Sequence, residues 1–365
     1  MRRSGGVRGD CRAGDAVVGA KGGRGGLQRR AGFLGRRRAQ FRVMMSCRKR
    51  QGERRSGFGA VILWFSAAVL MGGLAAPWVW SLAIFLGRSF PALSFLRDTE
   101  LTATASRCVL LAVLLLMTPV VRWAGLGGIP LLWGRWTRGA WRQGGGGWIS
   151  GATASAAVAA VGVAVGAYTV RAGRAVGAEF LLRLGGFLLA GIAVAVIEET
   201  IFRGGMYRLL RGSHGFQIAA LVSSLVYSAV HFAKPWPPVM PVNADWLAGL
   251  KLLQYMFGEP WRWHDGFMFL TIFFLGVFLC ATYEATGRLY LPAGAHAGIV
   301  FVMKVVRFLL DRDRTVAPVL FGPSAGIVKA PAATIMAVLL AAGVVGVLRF
   351  SHAPSGRNAG ASLSS

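Results

Sequence analysis

Two glutamates stand side by side inside an apolar stretch of the chain, in the run IEETIFR that begins at Ile197. A carboxylate near the centre of a bilayer costs on the order of 3 kcal/mol on insertion scales, so two together need a reason. Glu199 and Arg203 are four residues apart, so in a helix they share a face and can pair. Glu198 is rotated about 100° away and lacks that partner. The pattern predicts that Glu199 is neutralised and that Glu198 is free to act as a general base.

A polar stripe follows on the next apolar stretch, where Ser224, Tyr227 and His231 occupy one side of a predicted helix. The run GSHG at 212–215 predicts the turn between the two helices. Glu198 lies about 15 residues before the middle of that turn and His231 about 17 residues after it. At 1.5 Å per residue, an antiparallel hairpin places the two at similar depth, within roughly 3 Å.

A third ionisable group, His296, follows the small residues of the run PAGA, which would let its helix approach a neighbour closely. Each group has an ordinary structural explanation, because a buried histidine can belong to a core and a Glu–Arg pair can staple helices. Two carboxylates and two histidines at matched depth favour a functional site, and intramembrane ionisable residues are functional by default.

The elements that must position these groups are membrane-spanning helices. Hydrophobic residues make up 55% of the 365 and charged residues only 15%, which is too apolar for a soluble domain of this size. A span needs roughly 20 apolar residues. Such stretches lie at about 58–83, 106–123, 148–169, 182–210, 216–233, 266–286, 290–310 and 331–349. The predicted fold is an all-α, polytopic transmembrane bundle of about eight helices over residues 57–350.

The formal net charge of +27 is concentrated at the N-terminus, where residues 1–56 hold 17 Lys or Arg against 3 Asp or Glu. This Gly- and Arg-rich segment has too little apolar content to fold, so a disordered basic tail is predicted, with a flexible tail at 351–365. Such tails can bind RNA or anionic lipid. The positive-inside rule instead indicates a solvated tail that holds the N-terminus in the cytoplasm, on an inner or plasma membrane, and no specific nucleic-acid partner is expected. Met44 or Met45 is an alternative start.

Two connections carry further predictions. The longest, 234–265, is rich in tryptophan, which prefers the headgroup level, so an interfacial helix is predicted near Asp245–Phe257. It could act as a lid over a cavity or be a plain interfacial segment. The Gly- and Arg-rich run Arg135–Gly147 is predicted to be a loop. The four cysteines form no CxxC pair and no disulfide framework.

These residues resemble the CPBP intramembrane proteases, a family that includes the CAAX prenyl endopeptidases and the bacterial Abi proteins. The family pattern is EExxxR on one helix, FxxxH on the next and HxxxN on a later one. The first motif runs from Glu198 to Arg203, the second from Tyr227, in place of the usual Phe, to His231, and the third begins at His296. The three motifs occur in the family order.

The resemblance covers about residues 180–305 and implies a hydrolase, specifically a membrane endopeptidase. Glu198 would activate a water molecule, His231 would orient it or bind a metal, and His296 would stabilise the oxyanion. Glu199 and Arg203 would hold the helix. A divalent metal such as zinc, on Glu198, His231 and His296, would make it a metalloprotease, and a metal-free site fits the same residues. The implied substrate is a peptide segment of a membrane-proximal or prenylated protein at the lipid bilayer.

The third motif departs from the family at its end, where Val300 replaces the asparagine that is thought to help hold the oxyanion or the water. Loss of one oxyanion donor costs about 10²–10³ in rate. The chain is therefore a slow or divergent enzyme, an enzyme in which another group supplies the donor, or a non-catalytic scaffold or immunity-type relative. Lys304 shares the face but lies two turns from His296, and it is expected to snorkel to the interface instead.

A transporter would also place ionisable residues at the middle of the membrane. Transporters of this kind show internal repeats and broken helices in both halves, and the sequence shows neither, although Pro292 could interrupt one helix. The protease hypothesis is therefore preferred.

Overall fold

The computed structural model describes residues 57–126, 133–134, 136–171, 173, 177–233, 245–255, 262–322 and 327–350. Within those ranges the chain forms helices α1 Gly57–Ser89, α2 Leu101–Trp123, α3 Arg138–Ala164, α4 Ala178–Glu199, α5 Arg208–Val230, α6 Ala248–Lys251, α7 Trp263–Thr286, α8 Tyr290–Leu309, α9 Pro318–Phe321 and α10 Pro331–Phe350. A π-helical segment, Thr200–Tyr207, joins α4 to α5, and 3₁₀ turns occupy Pro91–Leu96, Leu252–Tyr255 and Ile327–Lys329. Both predicted tails, 1–56 and 351–365, lie outside the described residues.

Seven helical stretches of the described chain are long and apolar enough to cross a membrane. One of them, Ala178–Val230, is 53 residues long and is broken at Gly215, whose φ of 84° favours glycine. Its two arms run antiparallel, because Ser223 Oγ donates to Phe202 O at 3.4 Å, on opposite sides of the break. If its two arms are counted separately, the described chain has eight long helical segments. The predicted all-α polytopic bundle is confirmed, and the break at Gly215 lies within the run 212–215 that was predicted to form the turn.

The glycine-rich start of α3 corrects one prediction. The run Arg135–Gly147 was expected to be a loop, and the structure begins a helix at Arg138. Its glycines serve the packing of α3 on α8, because a Cβ on Gly147 would lie 2.3 Å from Leu291 O and one on Gly151 would lie 2.0 Å from Ala295 O. Glycine lowers helix propensity in isolation, and close packing overrides that preference here.

Helix α8 also has glycine at the positions where it touches α3. A Cβ on Gly294 would lie 2.0 Å from Gly144 O, and one on Gly298 would lie 2.2 Å from Trp148 O. The two backbones are therefore in direct contact over about two turns of each helix. The predicted close approach of the helix that carries His296 is present, and it fixes the depth of that residue.

A short antiparallel pair secures the far end of α8. Strand β1 (Tyr168–Val170), after α3, pairs with strand β2 (Leu310–Arg312), after α8. Arg312 donates to Ala167 O at 3.0 Å and to Gly322 O at 3.0 Å, so it ties three connections together. The sequence did not predict this pair, because three-residue strands lack a detectable period.

The predicted interfacial helix near Asp245–Phe257 is shorter than expected. The helical residues are α6 and the 3₁₀ turn that follows it, and Phe257 lies outside the described residues. Helix α6 packs on α1, since a Cβ on Gly249 would lie 2.0 Å from Gly73 O. Glycine at both contact positions permits this approach. Trp246 is 62% exposed beside α6, as expected of an interfacial residue.

The glycine contact between α3 and α8 can be tested by adding a single methyl group. We expect Gly151→Ala to destabilise the protein by about 1–3 kcal/mol, because the new Cβ would overlap the backbone of Ala295. The measurement is thermal unfolding of the detergent-purified protein. Gly145→Ala is the matched control, since it lies on the same helix with nothing within 4 Å of a Cβ, and it should not destabilise. Equal melting temperatures for the two variants would contradict the packing argument.

Candidate active site

The site begins where α4 passes into the π-helical segment. All eight residues of that segment are buried, and π-helical turns occur mostly at functional sites. The segment is held against α1, because a Cβ on Gly205 would lie 2.6 Å from the ring of Trp64. The carboxylates of Glu198 and Glu199 are thereby placed at the last turn of α4, inside the bundle.

Glu199 and Arg203 form the predicted ion pair. Arg203 Nη1 donates to Glu199 Oε1 at 2.9 Å, and both side chains are 0% exposed. Arg203 Nη2 donates to Gly276 O on α7 at 3.2 Å, and the guanidinium lies 4.5 Å from the centroid of the Tyr227 ring. A fully buried charge is tolerated only when it is paired and hydrogen bonded. Three elements must therefore converge on this pair.

His296 joins the pair from α8 and lies between the two carboxylates. Its Nδ1 is 3.0 Å from Glu199 Oε1, its Nε2 is 3.8 Å from Glu198 Oε2, and it is 3% exposed. A carboxylate oxygen only accepts, so we assign the Nδ1 proton to the hydrogen bond with Glu199. The Nε2 atom of the ring then faces Glu198.

Glu198 differs from its neighbour in two respects. Its side chain is 25% exposed, whereas that of Glu199 is 0% exposed. Its carboxylate has no guanidinium partner within the described part of the chain, whereas Oε1 of Glu199 is bonded to both Arg203 and His296. The Oε2 atom of each carboxylate is buried without a hydrogen-bond partner among the described residues. The adjacent carboxylates are therefore unequal: Glu199 is shared by a guanidinium and an imidazole, and Glu198 is partly exposed at the edge of the cluster.

Tyr227 lies at the centre of the cluster, and His231 lies beside it. The Tyr227 hydroxyl is 3.5 Å from His296 Nε2, and its ring packs edge-on against Phe202 and His231 with centroids 4.9 Å apart in each case. His231 Nδ1 donates to Tyr227 O at 2.7 Å. Over the described residues the hydrogen bonds of His231 run to backbone carbonyls. The structure thus gathers four of the five predicted site residues into direct contact and connects His231 through Tyr227.

The zinc alternative meets a geometric difficulty. Among the described residues, no three His, Cys, Asp or Glu side chains are arranged so that they could hold a metal ion. The set predicted from the sequence, Glu198, His231 and His296, does not assemble as ligands in this arrangement. Metal binding stays a prediction, and no catalytic step is assigned to a metal below.

Sequence reasoning missed two members of the site. Tyr227 was recognised in the polar stripe but was not predicted to link the other residues. The carbonyl of Gly276 was not foreseen, because a backbone acceptor has no signature in side-chain types. Its position depends on a close approach, since a Cβ on Gly276 would lie 2.8 Å from Ser224. The sequence feature that could have indicated this close approach is a glycine on one apolar helix and a serine on another.

Together, the fold and the site define a polytopic helical membrane protein with a carboxylate–histidine cluster buried among its spans. Residues 179–302 match the family model for the type II CAAX prenyl endopeptidase Rce1-like proteins, which confirms the predicted family resemblance over this part of the chain. No curated protein and no solved structure matches the chain significantly. The match supports a CAAX-protease-like membrane endopeptidase at the level of the family.

The energetic importance of the buried ion pair can be tested against an exposed pair on the same helix. Arg203→Leu should destabilise the protein by about 3–5 kcal/mol, because it leaves the Glu199 carboxylate buried without its cation. Arg183→Leu is the control: Arg183 pairs with Glu179 at the same spacing, but the side chains are 49% and 78% exposed, so the loss should stay below about 1 kcal/mol. Chemical unfolding in detergent measures both, and a similar loss in the two variants would contradict the assignment.

Proposed function

We propose that the chain is an intramembrane endopeptidase in which Glu198 activates a water molecule for attack on a peptide carbonyl of a membrane-associated or lipidated protein. The observation that carries this proposal is the inequality of the two adjacent glutamates. Oε1 of Glu199 is bonded to both Arg203 and His296, whereas Glu198 has no guanidinium partner within the described chain and is partly exposed. A general base needs a free carboxylate within reach of water.

The reaction follows from that arrangement. Glu198 takes a proton from water while the water oxygen attacks the carbonyl carbon, and a tetrahedral oxyanion forms. Collapse of the intermediate breaks the C–N bond, and Glu198 returns the proton to the leaving amine. His296 and His231 orient the water and stabilise the charge that develops, and Glu199 and Arg203 act as positioning residues.

We propose that a substrate reaches Glu198 between α4 and α5. Helix α5 packs against the π-helical segment, whereas α4 packs along α8 and has little contact with α5. The two arms of the hairpin therefore separate beyond Glu198, on the side away from Gly215. An extended peptide segment that enters between α4 and α5 from the lipid would meet Glu198 first. This entry suits a substrate that is embedded in the bilayer or anchored to it by a prenyl group.

A second candidate is a non-catalytic relative that keeps the fold. The specific observation in its favour is Val300, a hydrocarbon side chain one helical turn beyond His296 where the family motif has asparagine. If this candidate is correct, Glu198 is a remnant and its substitution changes no cleavage rate. Metal analysis of the purified protein separates the metal-free mechanism from the zinc alternative, because only the latter predicts a bound equivalent that is lost in Glu198→Gln and His231→Ala.

The general-base role is tested by Glu198→Gln, which keeps the shape and removes the basic carboxylate. We expect cleavage of a membrane-embedded reporter in proteoliposomes to fall by about 10²–10⁴-fold. Glu179→Gln, an exposed glutamate at the start of the same helix, should cleave at the wild-type rate. Wild-type cleavage by Glu198→Gln would exclude the mechanism.

We further propose an inner or plasma membrane location with the N-terminus in the cytoplasm. Eight passes put the start of α1 and the end of α10 on one side, and the basic segment before α1 favours the cytoplasm. Alkaline phosphatase should be inactive when fused to the N-terminus and active when fused after Arg97, one pass later. The reverse pattern would refute this orientation and leave the catalytic proposal intact.

A further inference from the structure

We infer that the hydroxyl of Tyr227 is a catalytic hydrogen-bond donor, which stabilises the oxyanion formed on the substrate carbonyl. This inference rests on the proposed hydrolytic function and adds to it a residue whose side-chain hydroxyl is absent from the family motif. Three observations support it: most hydrogen-bond donors of the cluster are already used, the phenol lies beside His296 and Glu198, and the chain differs from the family motif at positions 227 and 300.

Few donors of the cluster are free to meet an oxyanion. Carboxylates only accept. The Nδ1 proton of His296 is used by Glu199, so only its Nε2 side faces the rest of the cluster. Two arms of the Arg203 guanidinium are bonded to Glu199 and Gly276. Its Nε–H has no partner, but the side chain is fully buried against the face of the Tyr227 ring. Of the neutral hydroxyl donors, that of Tyr227 lies 3.5 Å from His296 Nε2, whereas that of Ser224 has no hydrogen-bond partner among the described residues and lies against Gly276.

The phenol is positioned for this role. Its oxygen is 3.5 Å from His296 Nε2, which is 3.8 Å from Glu198 Oε2, so the donor and the proposed base flank the same imidazole nitrogen. At 3.5 Å the hydroxyl is at the outer limit of a hydrogen bond to nitrogen, so little is lost when its proton turns toward a stronger acceptor. A developing oxyanion is such an acceptor.

The ring itself is held rigidly. Tyr227 is 2% exposed, with the guanidinium of Arg203 over its face and Phe202 against its edge. Its carbonyl oxygen accepts the proton of His231 Nδ1, which also fixes the backbone at this turn. A donor that is fixed before the reaction needs no reorganisation in the transition state, and such donors are most effective where water is excluded.

Two changes relative to the family motif are complementary. Position 300 loses an amide, because valine replaces asparagine one turn, about 6 Å, beyond His296 on the same helix face. Position 227 gains a hydroxyl, because tyrosine replaces phenylalanine, and that hydroxyl reaches His296 from α5. The chain thus lacks one donor on α8 and has another on α5 that contacts the same histidine.

The test is a set of four variants assayed with the proteoliposome reporter. Tyr227→Phe should lower kcat by about 10²–10³-fold with little change in KM, because the interaction forms in the transition state. Val300→Asn should change the rate little, and Tyr227→Phe/Val300→Asn should recover at least 10-fold over Tyr227→Phe. The control is Tyr283→Phe, a tyrosine that is also buried (3% exposed) and packs on Tyr207 away from the cluster, and it should keep wild-type kcat.

The outcomes separate this inference from the proposed function. If Glu198→Gln is inactive while Tyr227→Phe retains wild-type kcat, the hydrolase stands and the donor assignment is wrong. If Tyr227→Phe loses activity and also melts at a lower temperature than Tyr283→Phe, with no recovery in the double variant, the hydroxyl is structural and the inference fails. A wild-type chain without activity that gains it with Val300→Asn would show that Tyr227 does not replace the amide. A chain that is inactive with either residue at position 300 would contradict both proposals.

Discussion

The buried pair of Glu199 and Arg203 is the interaction on which the rest of the site depends. Two unpaired charges in the hydrocarbon interior would cost several kcal/mol each, and their mutual attraction offsets this only if the remaining lone pairs and protons are also bonded. The structure supplies further partners from three directions, Gly276 O from α7, the ring of Tyr227 from α5 and Nδ1 of His296 from α8, and it leaves Glu199 Oε2 and Arg203 Nε without a hydrogen-bond partner among the described residues. Each of these helices is therefore held at one depth and one rotation by the same ion pair.

The bundle can bring these helices together because glycine stands where their backbones touch. Helix α8 lies against α3 through Gly147, Gly151 and their counterparts on α8, and α7 lies against α5 at Gly276. In lipid there is no hydrophobic force between helices, so close packing and polar contacts supply the association energy. The polar cluster on one side of α8 and the glycine contact on its other side are thus parts of one arrangement, since a larger residue at the contact would withdraw His296 from Glu199.

Much of this arrangement could be predicted from the sequence, and what could not has physical reasons. Apolar length gave the spans, and four-residue spacing gave the ion pair, because both depend on local geometry alone. The helical start of α3 was missed because a glycine run indicates a loop unless its packing partner is known. Counting residues predicts equal depth for Glu198 and His231, but it does not predict how their side chains are rotated about the helices. The π-helical turn between them changes the angle at which every later residue projects, so His231 turns to the backbone of Tyr227 instead of meeting Glu198 directly.

In the proposed mechanism, the tandem glutamates place a reactive carboxylate in the bilayer beside an anchored one. A cation beside Glu198 would position it but would also weaken it as a base. Because neighbouring residues on a helix point about 100° apart, Glu199 can take the cation and anchor the helix while Glu198 stays partly exposed. His296 connects the two roles, since the proton that binds it to Glu199 leaves its Nε2 atom facing Glu198 and the hydroxyl of Tyr227. The anchoring carboxylate of Glu199 and the proposed reactive carboxylate of Glu198 are thus adjacent in sequence, and the imidazole of His296 lies between them.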